Sequence, residues 1–225
     1  MGYLFTLLLL LVIAFLLFRF VSACKKANQT DWGSPLLNVL EGMNRLFCHR
    51  YHRLNDVTIP LNESGPAIVV SNHISGLDPM LMIAASPRPL RFLIAREQYE
   101  RFGFKWLFKA VGCIPIDRSK QADNAMRQAI KALDEGEVLA IFPHGKIHLP
   151  EDGQIKMKPG AARLAVKSKC PISPLLISGI RSPGNVLMPV LLRAEARINV
   201  CDPIDVDSRE LSEINSMMAS CIEEK

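Results

Sequence analysis

None of the six cysteines forms a C-x-x-C pair, and no cysteine–histidine spacing closes a tetrahedral metal site. Cys24, Cys48, Cys113, Cys170, Cys201 and Cys221 are widely spread, so reduced thiols in a cytosol-facing domain are the simplest account. Aromatic residues are only 7% of the chain, and no basic strand is studded with them. With no DNA or RNA motif either, the sequence offers nucleic acid no binding surface. There is no Gly-x-Ser-x-Gly elbow, so Ser71 and Ser75 do not point to a hydrolase nucleophile. No basic residue precedes the first apolar run, which argues against a cleaved secretory signal. No internal repeat is visible.

What the chain has is apolar surface. Hydrophobic residues make up 49% of 225 positions, high for a soluble protein, and the net charge is +5. The length allows one domain with a real core plus an appendage. The modest basic excess fits anionic lipid or phosphorylated substrates. Met1 to Phe18 carries no charged side chain, and with the residues up to Ala23 it is long enough to span a bilayer. Its Leu, Ile, Val and Phe residues favour insertion by about 4–8 kcal/mol together, against about 2.5–3.5 for a central Arg. Arg19 lies near the end, where it snorkels at lower cost, so insertion wins. Lys25 and Lys26 place the following chain on the cytoplasmic side. Val21-Ser22-Ala23-Cys24 resembles a lipoprotein cleavage box, but the missing n-region charge and Arg19 argue against cleavage. Gly2 with Thr6 fits the loose myristoylation pattern, which a chain anchored by a Leu-rich helix does not need.

We therefore divide the chain into an anchor (1–26), a linker with an amphipathic helix (27–58) and a main domain (59–225). In the middle segment Ser34-Pro35 starts a helix with Leu36, Leu40, Met43 and Phe47 on one face. Arg45, His49, Arg50, His52 and Arg53 follow. They make either a solvated basic end of a core helix or a cationic face toward lipid headgroups. Beyond residue 66, short apolar runs alternate with helical patterns. The runs are 67–70, 90–95, 113–116, 138–142, 172–177 and 196–200. The helical patterns begin at Asp78, Glu97, Ala122 and Pro159, and a polar, peripheral helix runs from Ser208 to the end. This order predicts an α/β fold, a mixed sheet flanked by helices, with chemistry at strand ends.

The densest chemistry follows the run Ala67-Ile68-Val69-Val70. There Asn72-His73 is separated by a Ser75-Gly76 turn from Asp78-Pro79, a helix start in which the carboxylate caps backbone N–H groups. A tight turn brings His73 and Asp78 together. A carboxylate on one ring nitrogen leaves the other basic and aimed outward. By itself His-x4-Asp has many accidental matches and reads first as a pair that only stabilises a turn and a helix start. Three more strand-end loops carry polar residues: Asp117-Arg118, Pro143-His144-Gly145-Lys146 and Ser178-Gly179.

Together, Asn72-His73-x4-Asp78-Pro79, Gly112-x-Ile114-x-Ile116-Asp117-Arg118, Phe142-Pro143-x-Gly145, Lys158-x-Gly160-Ala161 and Pro171-Ile172-x-Pro174 resemble, in order and distance, the glycerolipid acyltransferase family. Its best-known members are the 1-acylglycerol-3-phosphate acyltransferases. The resemblance covers about residues 60–185. It implies that His73 is the general base on an acceptor hydroxyl, that Asp78 orients it, and that Asn72 lies at the substrate. It also implies that Arg118 holds the acceptor's phosphate, that Gly145 lets backbone approach that phosphate, and that Lys158 adds charge nearby. The donor is acyl-CoA or acyl carrier protein, a substrate rather than a cofactor, and no metal is implied. Partners are membrane lipids and a lysophospholipid acceptor, with no nucleic acid.

The third motif departs from the family's Phe-Pro-Glu-Gly-Thr-Arg. Here His144 replaces the Glu and Ile147 the Arg, and Lys146 supplies a cation one position earlier. His144 is a candidate donor to a phosphate oxygen. The departure bears on the acceptor, so a lyso-ornithine lipid or another lysophospholipid stands beside lysophosphatidic acid. His144 and His148 are four apart, but no third ligand is evident. The remaining alternative is a non-catalytic lipid-binding protein, against which the intact His73–Asp78 pair and Arg118 speak. A compact domain on a single helix fits the cytoplasmic side of a bacterial inner membrane, with the endoplasmic reticulum left open.

Overall fold

The computed structural model describes residues 2–101, 103, 105–117, 122–149, 151, 153 and 157–223. The predicted α/β fold is what it shows. Six strands form one sheet: β1 (Ala67–Ser71), β2 (Leu90–Ala95), β3 (Ile114–Ile116), β4 (Val138–Ile141), β5 (Ile172–Ser178) and β6 (Arg197–Val200). Their spatial order is β3-β2-β4-β1-β5-β6. The first five run parallel and β6 pairs antiparallel with β5. The ends of β1, β4 and β5 therefore share one edge of the sheet, with β1 in the middle.

β1 is a fully buried base for the loop that follows it. Ile68, Val69 and Val70 are all fully buried, each contributing roughly 1.5–3 kcal/mol by leaving water. Alternate side chains feed two cores, as a pleated strand requires. Ala67 and Val69 join one cluster, with Leu81, Met82, Leu90 and Phe92. Ile68 and Val70 join the other, with Ala129, Leu133, Leu164 and Ile214. The first cluster is covered by α3 (Asp78–Ala85) and the second by α6 (Ala122–Asp134), α7 (Gly160–Ser168) and α9 (Leu211–Ile222).

The N-terminal helix α1 (Gly2–Ala27) contains one stretch, Tyr3–Ala27, long and apolar enough to cross a membrane. Its end packs on α2 (Pro35–Leu46) at Gly42, where any Cβ would lie 1.9 Å from the Cys24 carbonyl oxygen. α2 continues into one π-helical turn, Phe47–Tyr51.

The middle segment is tied to the main domain rather than slung from it. Cys48, Leu54 and Ile59 belong to the first core cluster. Arg45 is 6% exposed, so it is neither a solvated nor a lipid-facing cation. Its guanidinium donates to Glu41, to Gln29 Oε1 at 2.9 Å, and to the Ala84 and Ser86 carbonyls at 2.6 Å each. Glu41 Oε2 also accepts from Asn28 Nδ2 at 2.6 Å. His52 is fully buried between Phe47 and Tyr51, and burial pulls its pKa below the ordinary value. Only Arg50 and Arg53 of the five basic residues are exposed.

Three other expectations change. The helix read from Glu97 to Lys109 is two, α4 (Arg96–Tyr99) and α5 (Lys105–Ala110), with Gly103 between them at φ +85°. Helix α9 is not peripheral, because Ile214, Met218 and Ile222 are buried. Cys201 and Cys221 are disulfide-bonded, with Cα atoms 6.3 Å apart, which corrects the expectation of six reduced thiols. A short helix, α8 (Met188–Leu191), has no counterpart in the sequence pattern.

Candidate active site

The site is built on the loop after β1. Asp78, the first residue of α3, is fully buried. The Asp78-Pro79 helix start predicts that the carboxylate caps α3. Instead it closes the turn upstream. Asp78 Oδ2 accepts from Ile74 N at 2.7 Å, Ser75 N at 2.8 Å and His73 Nδ1 at 2.8 Å. Oδ1 accepts from Ser75 Oγ at 2.5 Å, and Ser75 Oγ accepts from Leu77 N at 3.1 Å. Three of these bonds come from the turn itself, so the carboxylate cannot swing without opening it. The pair is thus both catalytic in form and structural in support.

With Nδ1–H directed at Asp78, His73 keeps Nε2 as its basic nitrogen. The imidazole is 19% exposed. One face stacks on Phe142, at 4.1 Å between ring centroids and 17° between planes. Register explains the contact: Val70 lies beside Ile141 on adjacent parallel strands, so the first residue past β4 meets the loop past β1. His148 N donates to His73 O at 2.8 Å and fastens the same two loops.

The other anticipated residues divide. Asn72 is spent on position: its Nδ2 donates to Ile177 O at 2.8 Å and its Oδ1 accepts from Ile177 N at 2.7 Å. That bracket ties the end of β1 to β5. Gly145 and Lys158 do converge. Gly145 has φ +72°, and a Cβ there would lie 2.7 Å from Lys158 Nζ, so the missing side chain makes room for the ammonium. Lys158 N donates to Pro143 O at 3.1 Å. Lys146 is exposed.

His144 points elsewhere than expected. It is 6% exposed, and its Nε2 lies 3.3 Å from Glu223 Oε1, just past α9. Its ring is 5.2 Å from that of His148. Among the described residues, no group of three His, Cys, Asp or Glu side chains is placed to hold a metal ion. Arg118 lies outside the described residues. Its neighbour Asp117 has Oδ2 3.6 Å from Arg96 Nε.

Sequence reasoning missed Ser75 as a buried ligand of Asp78, and Phe142 as the platform for His73. The signals were a Ser three positions before the Asp and an aromatic residue ending an apolar strand. The buried thiols are not nucleophiles. Burial pushes Cys48 up to about 12 and Cys113 and Cys170 to about 11, so all three stay protonated at neutral pH.

Comparison with known proteins sharpens this picture. Residues 48–178 match the family model described as Acyltransferase. Over 134 residues the chain is 36% identical to a "Probable 1-acyl-sn-glycerol-3-phosphate acyltransferase" of Mycoplasma genitalium, covering 56% of this chain and 48% of that protein. It is 29% identical over 157 residues to the 1-acyl-sn-glycerol-3-phosphate acyltransferase of Streptococcus pneumoniae, covering 69% and 56%. It is 30% identical over 134 residues to the N-acylphosphatidylethanolamine synthase of Arabidopsis thaliana, covering 55% and 46%. The matches thus span about half the length of these curated relatives. The crystal structure of the 1-acyl-sn-glycerophosphate acyltransferase of Thermotoga maritima superposes with a TM-score of 0.65 over 95% of this chain and 86% of that one, at 19% identity, which speaks to the fold. The match to the family model takes in the His73 turn, the four central strands and the Phe142 loop, and the chain belongs to the acyltransferase family.

Proposed function

We propose that the protein transfers a fatty acyl group from acyl-CoA or acyl carrier protein to the free hydroxyl of 1-acylglycerol 3-phosphate, giving phosphatidic acid. The observation that carries this is the His73–Asp78 pair, locked by a turn at the edge where β1 and β4 end. Nε2 of His73 takes the hydroxyl proton as the oxygen attacks the thioester carbonyl. The tetrahedral intermediate collapses, the C–S bond breaks, and the thiolate leaves with the proton returned from the imidazolium. No acyl-enzyme and no resident cofactor is required. Base catalysis supplies about 10²–10⁴-fold, and positioning supplies much of the rest.

Asp78 holds the tautomer and stabilises the imidazolium. Lys158 above Gly145 offers a cation to an anionic headgroup. Arg118 is assigned the acceptor phosphate on the family resemblance. Helix α1 holds the domain at a membrane, where acceptor and product both reside, and Lys25 and Lys26 favour a cytoplasmic domain.

A second acceptor class is favoured by one feature, the loop Phe142-Pro143-His144-Gly145-Lys146-Ile147, which lacks the family's Glu and Arg. A relative named for N-acylation of phosphatidylethanolamine points the same way. The test is acyl transfer in vesicles, with lysophosphatidic acid, lyso-ornithine lipid, lysophosphatidylglycerol and lysophosphatidylethanolamine as acceptors and both donors in turn. His73→Ala is expected to lower turnover of the preferred acceptor by about 10²–10⁴-fold. If the wild type turns over none of them, the chain is a lipid-binding protein on an acyltransferase scaffold.

A further inference from the structure

One surface beside the site is still without a role. Between β5 and β6 the chain runs out from residue 179 to 196 and back. Val186, Leu187, Met188 and Leu191 are 46–64% exposed there. Four large apolar side chains within six residues are not the surface of a loop that lives in water. Pro189 is buried and Val190 packs on the first core cluster, so α8 is held by one face and shows the other. Beside this tip lies a cleft of about 620 Å³ lined by Arg53, Arg181, Arg193 and Arg197, with Glu195 and Ser178. Arg53 Nη1 lies 2.9 Å from Glu195 Oε1, so the cleft lining carries four arginines and one carboxylate, which pairs with Arg53. Exposed aliphatic residues rimmed by arginines suit an anionic lipid surface, with chains into the acyl boundary and planar forks on phosphates.

Three further hydrogen bonds fix where this surface belongs. Tyr51 Oη donates to Leu191 O at 2.6 Å, which joins the tip to the turn that continues α2 and so to α1. The loop is also welded to the catalytic turn. Gly184 N donates to Ile74 O at 2.8 Å, and Gly76 N donates to Asn185 O at 3.1 Å. A Cβ at Gly76 would lie 2.1 Å from Val186 O.

We propose that the 180–193 loop and its arginine cleft form a second membrane contact, distinct from α1, that binds the headgroups of an anionic bilayer. Seated there, the loop presents the His73 turn at the headgroup level, where a lysolipid hydroxyl is met without leaving the bilayer. That last consequence rests on the proposed acyl transfer; the docking itself does not.

The experiment uses the full chain reconstituted in vesicles. Leu187→Cys carries a nitrobenzoxadiazole probe, and Asp134→Cys, exposed at the end of α6 near the opposite edge of the sheet, is the reference. Brominated phosphatidylglycerol is expected to quench the probe at 187 and leave that at 134 unaffected. Arg193→Gln is expected to lower the docked-to-undocked ratio about fivefold, as is replacing phosphatidylglycerol by phosphatidylcholine for each arginine engaged. Leu187→Ser with Leu191→Ser is expected to keep turnover of a short-chain, dissolved acceptor and to lose at least about tenfold on a long-chain acceptor in vesicles. Docking is overturned if the probe at 187 stays as wet as that at 134. It is overturned equally if shielding scales with protein density at fixed lipid, which assigns the tip to a second copy. Shielding that needs added acyl-CoA overturns it too, and gives the arginines to the donor's phosphates. Quenching without any acyl transfer leaves docking standing and removes the enzyme reading alone.

Discussion

Among the described residues, the two ends of α3 meet the two most heavily bonded buried charges, and these do opposite work. At the first residue Asp78 gathers two N–H groups, one hydroxyl and one imidazole. At the far end Arg45 of α2 donates to the Ala84 and Ser86 carbonyls and to Glu41. Acid at the N-terminus and base at the C-terminus is the arrangement the helix dipole favours. Eight residues, about 12 Å, separate the ends. The Asp78 end settles which way an imidazole faces. The Arg45 end fastens the anchor segment to the domain. The comparison separates a charge retained for chemistry from one retained for attachment, although both are fully enclosed.

The largest break is expected at the catalytic end. Asp78→Asn keeps the volume but presents an amide to His73, so the wrong tautomer is favoured and turnover is expected to fall about 10³–10⁴-fold. Acyl-transfer kinetics on protein with unchanged circular dichroism decides it. More than a tenth of wild-type turnover would mean that the imidazole does not rely on its carboxylate.

At the other end the expected loss is in stability. Arg45→Met strands Glu41 in the interior and should cost about 3–5 kcal/mol, whereas Arg45→Met with Glu41→Leu should recover most of it. Denaturant unfolding of both, and of Glu41→Leu alone, gives the cycle. The double variant is expected to retain acyl transfer, and losing it would show that the Arg45 end also serves the chemistry. A smaller effect of the same kind belongs to Gly42→Ala, whose Cβ must displace the Cys24 carbonyl. Overpacking of this sort costs about 1–3 kcal/mol, visible as a drop in Tm.

The smallest is a pH effect near the anchor. Burial lowers the His52 pKa, so below about pH 6.5 the unfolded chain takes up a proton that the folded chain resists. Stability is therefore full above that pH and declines as pH falls toward the folded pKa, by up to about 1.4 kcal/mol per pH unit. His52→Leu should flatten that limb of the stability–pH curve, and an unchanged slope would place the acid sensitivity elsewhere.

The Asp78 end was legible from the sequence and the Arg45 end was not, for a physical reason. His73 and Asp78 sit within six residues on one turn, so spacing alone brings them together. Arg45 meets Ala84 and Ser86 across about forty residues, and nothing local distinguishes it from the exposed Arg50. The alternation of strands and helices was readable because each strand is short, apolar and bounded by turn residues. The burial of α9 has a signature as well: Ile214, Met218 and Ile222 repeat every four residues, a stripe on one helical face. The 180–193 loop has no period, so its contact with the His73 turn had no signature beyond the glycines at 76 and 184. The contact of His144 with Glu223 had no local signature, because Glu223 lies 79 residues later in the chain.

The close approach of Gly76 to Val186 bears on how this protein can vary. The contact is made by a missing side chain on one side and a main-chain carbonyl on the other. Position 76 therefore admits a single residue type. Positions 186, 187, 188 and 191 are released from that constraint, since their side chains take no part in holding the turn. Descendants of this sequence can exchange one apolar side chain of the tip for another, trading bulk while it stays apolar, and the imidazole keeps its address because only main chain holds the turn.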